Sequence, residues 1–442
     1  MTRTARVVCV ILSCLALQGS PGRAAEPGAR PTFAFPIRVE GARLVAADGR
    51  VWPAFGRSEF ALAWHGYHDR WTLADQLLDR DRAEGFTYVR VFGMLSWLEP
   101  TWEPWSDAER YWRAWDELAN RARERNLVVW FTVFADWNRL AGVSPARFAD
   151  TARRAAVYAR RHVNVVIEIA NEWYVNGLGP EQIREAGAMI RSAGYEGILF
   201  GSTPDHAESP RSGELASGEA THLVTGPPFD AVTLHSRRDD GHGGWEHVKE
   251  LRDGIAFAES MRKPIVLGEP MGFDFRPRQG IYDDSPVRAL GAMLAAWIGG
   301  ASGYCYHADG GLWSKLERYP GEDLMQVFWT LPLATHPGAW TFVNGHWPDA
   351  PITSATGFLG EPTFARGPYR IYGATSPGGT YVAIAFGGRP PWTLKVQRPV
   401  DLQRYGQDGR LIDLRPVSLK PGDVLEERGR DLLILVGTLR GS

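Results

Sequence analysis

The chain has 442 residues, 44% hydrophobic, 23% charged and 12% aromatic, with a formal net charge of -2. That balance excludes a disordered chain, a collagen-like repeat and a coiled coil, and the length allows more than one packed core. No long run of one sign occurs, so no nucleic-acid surface is indicated.

The N-terminus reads as a targeting segment. Arg3 and Arg6 precede an apolar stretch from Val7 to Leu17, and Gly22-Arg23-Ala24 places small residues at both positions of a cleavage site. Residues 1–24 are therefore expected to be a signal peptide for secretion or periplasmic export, too short to hold the mature chain in a membrane. They contain three arginines and no acid, so their removal takes the net charge from -2 to -5. Cys9 and Cys14 leave with them. Cys305 remains alone in an apolar run, which suits a buried inert thiol and allows no internal disulfide.

Residues 25–50 form an N-terminal segment. Ile37–Trp52 reads as a hairpin turning at Asp48-Gly49 and plugging the N-terminal end of the domain after it. Over 51–338, short apolar runs alternate with amphipathic stretches. Expected strands are Ala54–Glu59, Tyr88–Met94, Leu127–Asp136, Val163–Glu172, Gly197–Ser202, Phe229–His235, Pro264–Glu269 and Gly303–His307. Expected helices are Leu73–Glu84, Glu109–Arg125, Pro145–Arg161, Pro180–Ala193, Trp245–Met261, Pro286–Ile298 and Glu322–Leu333. Near-continuous apolar strands are those covered on both faces, and eight strand–helix repeats spell an α/β fold, a (β/α)8 TIM barrel. Residues 339–442 change texture. Tyr369–Ala374, Tyr381–Phe386, Thr393–Val396 and Leu432–Val436 alternate, with Gly, Pro and Asp between them, as in a small all-β, sandwich-like domain.

Barrel chemistry sits where strands end. Strand 4 ends Glu168-Ile169-Ala170-Asn171-Glu172, and strand 7 ends Leu267-Gly268-Glu269. Side chains alternate along a strand, so a Glu172 aimed at the barrel mouth carries Ala170 and Glu168 inward with it. Two carboxyls on one rim suit glycosidic bond cleavage: one protonates the leaving oxygen, and the other attacks the anomeric carbon or activates water. Asp136 and Glu59 are further strand-end acids, suited to binding or structure.

The flanking residues carry a resemblance. Val166-Ile167-Glu168-Ile169-Ala170-Asn171-Glu172 resembles the strand-4 motif of glycoside hydrolase family 5 and its wider clan, and Lys263-Pro264-Ile265-Val266-Leu267-Gly268-Glu269 resembles the strand-7 motif. Tyr88-Val89-Arg90-Val91-Phe92 is similar to strand 2, and Phe229–His235 to strand 6. The likeness covers residues 37–338. It implies a retaining mechanism with Glu172 as acid/base and Glu269 as nucleophile. It places Asn171 on the sugar 2-hydroxyl, Arg90 beneath the nucleophile with Glu168 neutralising it, and His235 as a direct partner. Strand 6 continues His235-Ser236-Arg237 where the family has His-x-Tyr, so the orienting tyrosine is expected from Tyr304 or Tyr306. Asp136-Trp137 stands where a His is common, and Trp173 where a Pro often follows.

Eighteen tryptophans are present. Trp64, Trp97, Trp102, Trp105, Trp137, Trp173, Trp245 and Trp313 fall in catalytic-side loops, where indoles stack on sugar faces. Trp137, Trp173 and Trp313 are the expected sugar contacts, whereas Trp112, Trp115, Trp130 and Trp297 are expected to be packing residues. His307 closes the set at the end of strand 8. No organic cofactor and no metal are expected, and the partner is a carbohydrate. Two rival readings remain: a non-catalytic carbohydrate-binding protein on the same scaffold, and a metal-dependent barrel hydrolase with zinc at His65 and His68. In the C-terminal domain, Trp392 and Tyr405 are candidate sugar platforms. Composition does not fix the oligomeric state.

Overall fold

The computed structural model describes residues 30–135, 143–173, 176, 178–201, 226–235, 262–269, 272–273, 286–319, 321–331, 333, 341–344, 349–354, 370–386, 392–430 and 432–441. The segment expected to be a signal peptide, Asp136, Trp137 and the helix expected at Trp245–Met261 lie outside them.

The chain opens with a hairpin of β1 (Arg38–Glu40) and β2 (Arg43–Val45). The reversal is at Gly41-Ala42. Asp48-Gly49 makes a second turn, in which Ala46 N–H donates to Arg50 O at 2.8 Å, so the single turn expected there is the later of two. Ser302, just before the last barrel strand, donates from Oγ to Ala42 O at 3.1 Å. Leu44 and Trp52 are buried beneath the barrel. The hairpin thus sits against the N-terminal end of the barrel.

Eight parallel strands form the barrel: β3 (Ala54–Ser58), β4 (Tyr88–Phe92), β5 (Val128–Phe134), β6 (Val165–Ala170), β7 (Leu199–Gly201), β8 (Ala231–Leu234), β9 (Ile265–Leu267) and β11 (Gly303–Ala308). They pair in chain order, and β11 closes on both β3 and β9. A two-residue β10 (Gly272–Phe273) adds to β11. Seven lie within the expected ranges and β11 runs one residue past its own, to Ala308, because continuous apolar runs between amphipathic helices have few other solutions.

The helices follow local signals. In α2 (Trp71–Ala83), Ala74, Leu77, Leu78 and Asp81 face inward. α3 (Ala108–Glu124) is capped by Asp107, whose carboxylate accepts from Arg110 N–H at 3.2 Å. α4 (Pro145–Ala159) has Ser144 as cap and Pro145 in its first turn. α5 (Pro180–Ser192) also starts with Pro. Two short helices, α1 (Leu62–Tyr67) and α7 (Asp309–Trp313), were not legible in the sequence, since one turn shows no amphipathic period. The helix expected at Glu322–Leu333 is instead a 3-10 turn, Glu322–Leu324, followed by α8 (Val327–Thr330).

The C-terminal region is a sandwich. A six-stranded sheet runs β12 (Thr341–Asn344), β14 (Arg370–Thr375), β15 (Thr380–Phe386), β20 (Leu432–Leu439), β17 (Val400–Tyr405) and β18 (Val417–Leu419). A three-stranded sheet runs β13 (Ile352–Ser354), β16 (Trp392–Val396) and β19 (Val424–Glu427). Alternation divides the larger sheet. Tyr372, Ala374, Val382, Ile384, Ile434 and Val436 join the barrel's core, while Ile371, Tyr381, Ala383, Ala385, Leu433 and Leu435 face the smaller sheet. The apolar α6 (Pro286–Gly299) packs on β11 and also on β14 and β15, so barrel and sandwich share one hydrophobic layer. Among the described residues, no helix is long and apolar enough to cross a membrane.

Candidate active site

Strand parity fills the barrel interior. Tyr88, Arg90 and Phe92 point in from β4, Trp130 and Thr132 from β5, and Glu168 from β6. Trp130 stacks on Phe200 at 3.8 Å and packs on Tyr88 at 5.0 Å. Gly56 leaves room for the Tyr88 ring, since a Cβ there would sit 2.1 Å from it. Above this apolar floor lies a polar layer.

Glu168 is wholly buried and accepts five hydrogen bonds. Arg90 donates from Nε at 3.0 Å and from Nη2 at 2.8 Å, Trp130 Nε1 at 3.2 Å, Thr132 Oγ1 at 2.7 Å and Thr233 Oγ1 at 2.8 Å. A buried carboxylate needs such a shell. Arg90 also donates from Nη1 to Glu269 Oε1 at 2.5 Å and from Nη2 to Asn171 Oδ1 at 2.9 Å. Burial alone would push the Arg90 guanidinium down, but Glu168 and Glu269 more than offset it and hold it above its ordinary value. One fixed cation therefore orients three strand-end residues.

Glu172 stands just past β6 with a φ of +40°. Non-glycine residues adopt this region at a cost, and such strain concentrates at functional sites. Asn176 holds the turn: its backbone N–H donates to Glu172 O at 3.1 Å, and its side-chain amide donates to the carbonyls of Asn171 and, at 3.2 Å, Glu172. The Glu172 side chain is aimed at His235, whose Nδ1 lies 3.0 Å from Glu172 Oε1 and 3.9 Å from Glu269 Oε2. One ligand atom from each of Glu172, His235 and Glu269 falls within 4.8 Å of the other two. The backbone of Gly268 allows the imidazole in, as a Cβ there would be 2.8 Å from Nε2.

Arg90, Asn171, Glu172, His235 and Glu269 are thus brought together. His307 shares the interior row with Cys305; its Nδ1 lies 2.8 Å from Ser58 Oγ, and it packs against Phe60. Cys305 is buried and free, and burial pushes its thiol up to about 11.

Tyr304 and Tyr306 are not rim residues. They align with Phe55 and Arg57 on β3, and Phe55 packs on Trp297 of α6 and Phe328 of α8. That parity faces the helices, so neither supplies the missing strand-6 tyrosine; counting positions along β11 would have predicted this. Trp173 is 5% exposed and buried in the turn rather than open as a platform. Trp313 and Trp97 are more than a third exposed, Trp64 and Trp105 are half-buried, and Trp102 is buried. Trp137 and Asp136 fall outside the described residues. Nothing in the sequence singles out Asn176; Thr132 and Thr233 carry a readable signal, a Thr at an inward position of an apolar strand, and Trp130, expected to be a packing residue, also donates to Glu168.

His65 and His68 do not share a ligand position. His65 Nε2 lies 3.0 Å and 3.2 Å from the carbonyls of Trp313 and Ser314, and His68 Nε2 lies 2.6 Å from Glu99 Oε2. Tyr405 is half-buried, with part of its ring packed against the core. The Trp392 side chain is outside the described set.

No family model and no curated protein match the chain. Solved structures do. A putative glycoside hydrolase from Bacteroides vulgatus ATCC 8482 aligns over 92% of this chain and 82% of its own, with a TM-score of 0.64 at 14% identity. A glycoside hydrolase family 5 structure from the same organism aligns over 92% and 95%, with a TM-score of 0.61 at 11% identity. A further structure described as a glycoside hydrolase aligns over 94% and 98%, with a TM-score of 0.62 at 12% identity. At these identities the likeness is one of fold: a (β/α)8 barrel followed by a β-domain, spanning nearly the whole chain.

Proposed function

We propose that the protein is an exported retaining glycoside hydrolase of the family 5 clan that cleaves β-linked glycosides or polysaccharides. The observation that carries this reading is the meeting of Glu172 and Glu269 at the C-terminal mouth of the barrel, with carboxylate oxygens within 4.8 Å and His235 between them. Retaining enzymes set their carboxyls about 5–5.5 Å apart and inverting ones about 6.5–9.5 Å, so this spacing favours double displacement.

Arg90 holds Glu269 Oε1, and Oε2, on the His235 side, attacks the anomeric carbon. The Glu172 carboxyl gives its proton to the glycosidic oxygen as the C–O bond breaks, and the alcohol departs. The Glu172 carboxylate then takes a proton from water, whose oxygen attacks the same carbon and releases Glu269. Asn171 offers its amide N–H to the sugar, because its carbonyl oxygen is held by Arg90. Thr132, Thr233 and Trp130 keep Glu168, and through it Arg90, in place.

The test combines an aryl β-glycoside panel with NMR of the first-formed anomer. Retention of configuration is expected. Glu172→Gln and Glu269→Gln are each expected to lower turnover by at least about 10³-fold with folding intact. Inversion, or full activity in either variant, would overturn the reading. Export rests on Arg3, Arg6 and the Val7–Leu17 run. Mass spectrometry of protein recovered from the cell envelope or medium is expected to find a chain beginning at Ala25.

A further inference from the structure

We propose that Glu172, His235 and Glu269 also form a chelating site for one divalent transition-metal ion, zinc or copper(II), and that this ion and the sugar exclude each other. The exclusion rests on the glycosidase reading above; the chelation does not.

The geometry is that of a three-ligand site. Arg90 holds Glu269 Oε1, so Oε2 is the atom turned toward His235 Nδ1, at 3.9 Å. Glu172 Oε1 lies 3.0 Å from the same nitrogen, and the three atoms span no more than 4.8 Å. A point equidistant from all three is about 2.4 Å from each at that limiting span; zinc–nitrogen and zinc–oxygen bonds run about 2.0–2.2 Å, so shifts of a few tenths of an ångström suffice. Glu172 is the least buried of the three, so the fourth coordination position opens toward the barrel mouth. Three protein ligands with one open position is the pattern of accessible zinc sites.

The donor set selects the ion. One imidazole and two carboxylates suit zinc and copper(II), whereas calcium requires six to eight oxygens and magnesium a near-regular octahedron. Charge favours a dication as well. Arg90 pairs with Glu168 and Glu269, and Glu172 beside His235 brings a third carboxyl group to the same pocket. Coordination through Nδ1 leaves the ring proton on Nε2, which is buried and has no hydrogen-bond partner among the described residues. Zinc-bound histidines normally have such a partner, and lacking it weakens binding about 10–100-fold. The site is therefore one for reversible occupancy, and the ion acts as an inhibitor.

Calorimetric titration of the untagged full-length protein with ZnCl2, and of a parallel sample with CoCl2 followed by visible absorbance, tests the chelation. One ion per chain is expected. Glu269→Gln and His235→Ala are each expected to weaken binding more than about tenfold, with melting curves confirming that each variant folds. Should His235→Ala fail to fold, Glu172→Gln serves in its place. Binding unchanged in these variants, or lost only in His65→Ala or His68→Ala, overturns the site. In the activity arm, zinc is expected to raise the apparent KM of an aryl glycoside at constant kcat; inhibition that substrate does not relieve overturns the exclusion. Zinc binding without hydrolysis would sink the glycosidase reading alone, and hydrolysis without zinc binding would sink the metal site alone.

Discussion

Arg90 and Glu269 meet across the barrel at 2.5 Å, Nη1 to Oε1, although 179 residues of chain separate them. The same guanidinium binds Glu168 through Nε and Nη2. A lysine could not make this forked contact, because an ammonium is a point donor. Arg90→Lys is therefore expected to lower kcat/KM by on the order of 10²-fold or more. Leaving Glu168 buried with its partner weakened is expected to cost about 3–5 kcal/mol in stability. Kinetics and denaturant unfolding on one preparation read both effects, and near-wild-type values in both would contradict the role given to Arg90.

The turn after β6 yields a second expectation. Asn176 is five residues from Asn171, yet its amide holds the carbonyls of Asn171 and Glu172. Asn176→Ala removes both side-chain amide bonds, leaving Glu172 O with only the backbone N–H of residue 176, and loosens the hold on the positive φ of Glu172. A loss of about 1–3 kcal/mol is expected, together with a fall in kcat of on the order of tenfold, as the acid/base carboxyl drifts from its working geometry. Asn176→Asp keeps an acceptor but loses the donors, and should be no better than Ala.

A third concerns pH. On the helix side of β3, Arg57 is buried among Glu59 at 3.1 Å, Asp81 at 3.6 Å, Glu84 at 3.4 Å and Glu322 at 2.7 Å, and Arg80 joins Glu59 and Asp81. Four acids face two arginines. Burial, reinforced by Glu59, pushes the Asp81 carboxyl up to about 8, and burial with Glu322 beside it pushes Glu84 up to about 7. Their ordinary values, which the unfolded chain shows, are 3.8 and 4.5. Between these limits the native state binds more protons than the unfolded state, so stability falls as pH rises. The contribution is full below about pH 4 and gone above about pH 8. Asp81→Asn is expected to flatten the decline and to raise the melting temperature at pH 8. A wild-type melting temperature that climbs steadily from pH 5 to 8, with the variant following it, would count against this assignment.

The sandwich provides the fourth. Val382, Ile384, Ile434 and Val436 lie in the same core as the barrel, under α6. A chain ending at residue 338 would expose that layer, and apolar patches of this kind drive association. The truncated protein is expected to aggregate or to bind a hydrophobic dye strongly. A soluble, monomeric and cooperatively melting barrel would mean that the two units are energetically separate.

Much of the fold was legible in the residues alone. Period and composition marked all eight barrel strands, because a strand covered on both faces must be apolar throughout and each helix between must be half polar. The same parity put Glu168 inside once Glu172 was placed at the mouth. Tyr304 and Tyr306 have the chemistry of an orienting tyrosine, but the alternation along β11 that puts Cys305 and His307 inside turns both toward the helices. The short helices α1 and α7 were missed because a single turn carries no periodic signal.

The sequence by itself determined the strand order, the face each strand turns inward, and the presence of two acids at strand ends, since these follow from alternation and apolar length along a local stretch of chain. The resemblance already implied Arg90 beneath Glu269 with Glu168 beside it; tertiary structure alone decided that the same guanidinium would hold Asn171 as well, that His235 would stand between the two carboxylates, and that the sandwich would share the barrel's core. Those relationships join residues as many as 179 positions apart, and their distances depend on how a sheet closes into a barrel, which no neighbouring sequence encodes.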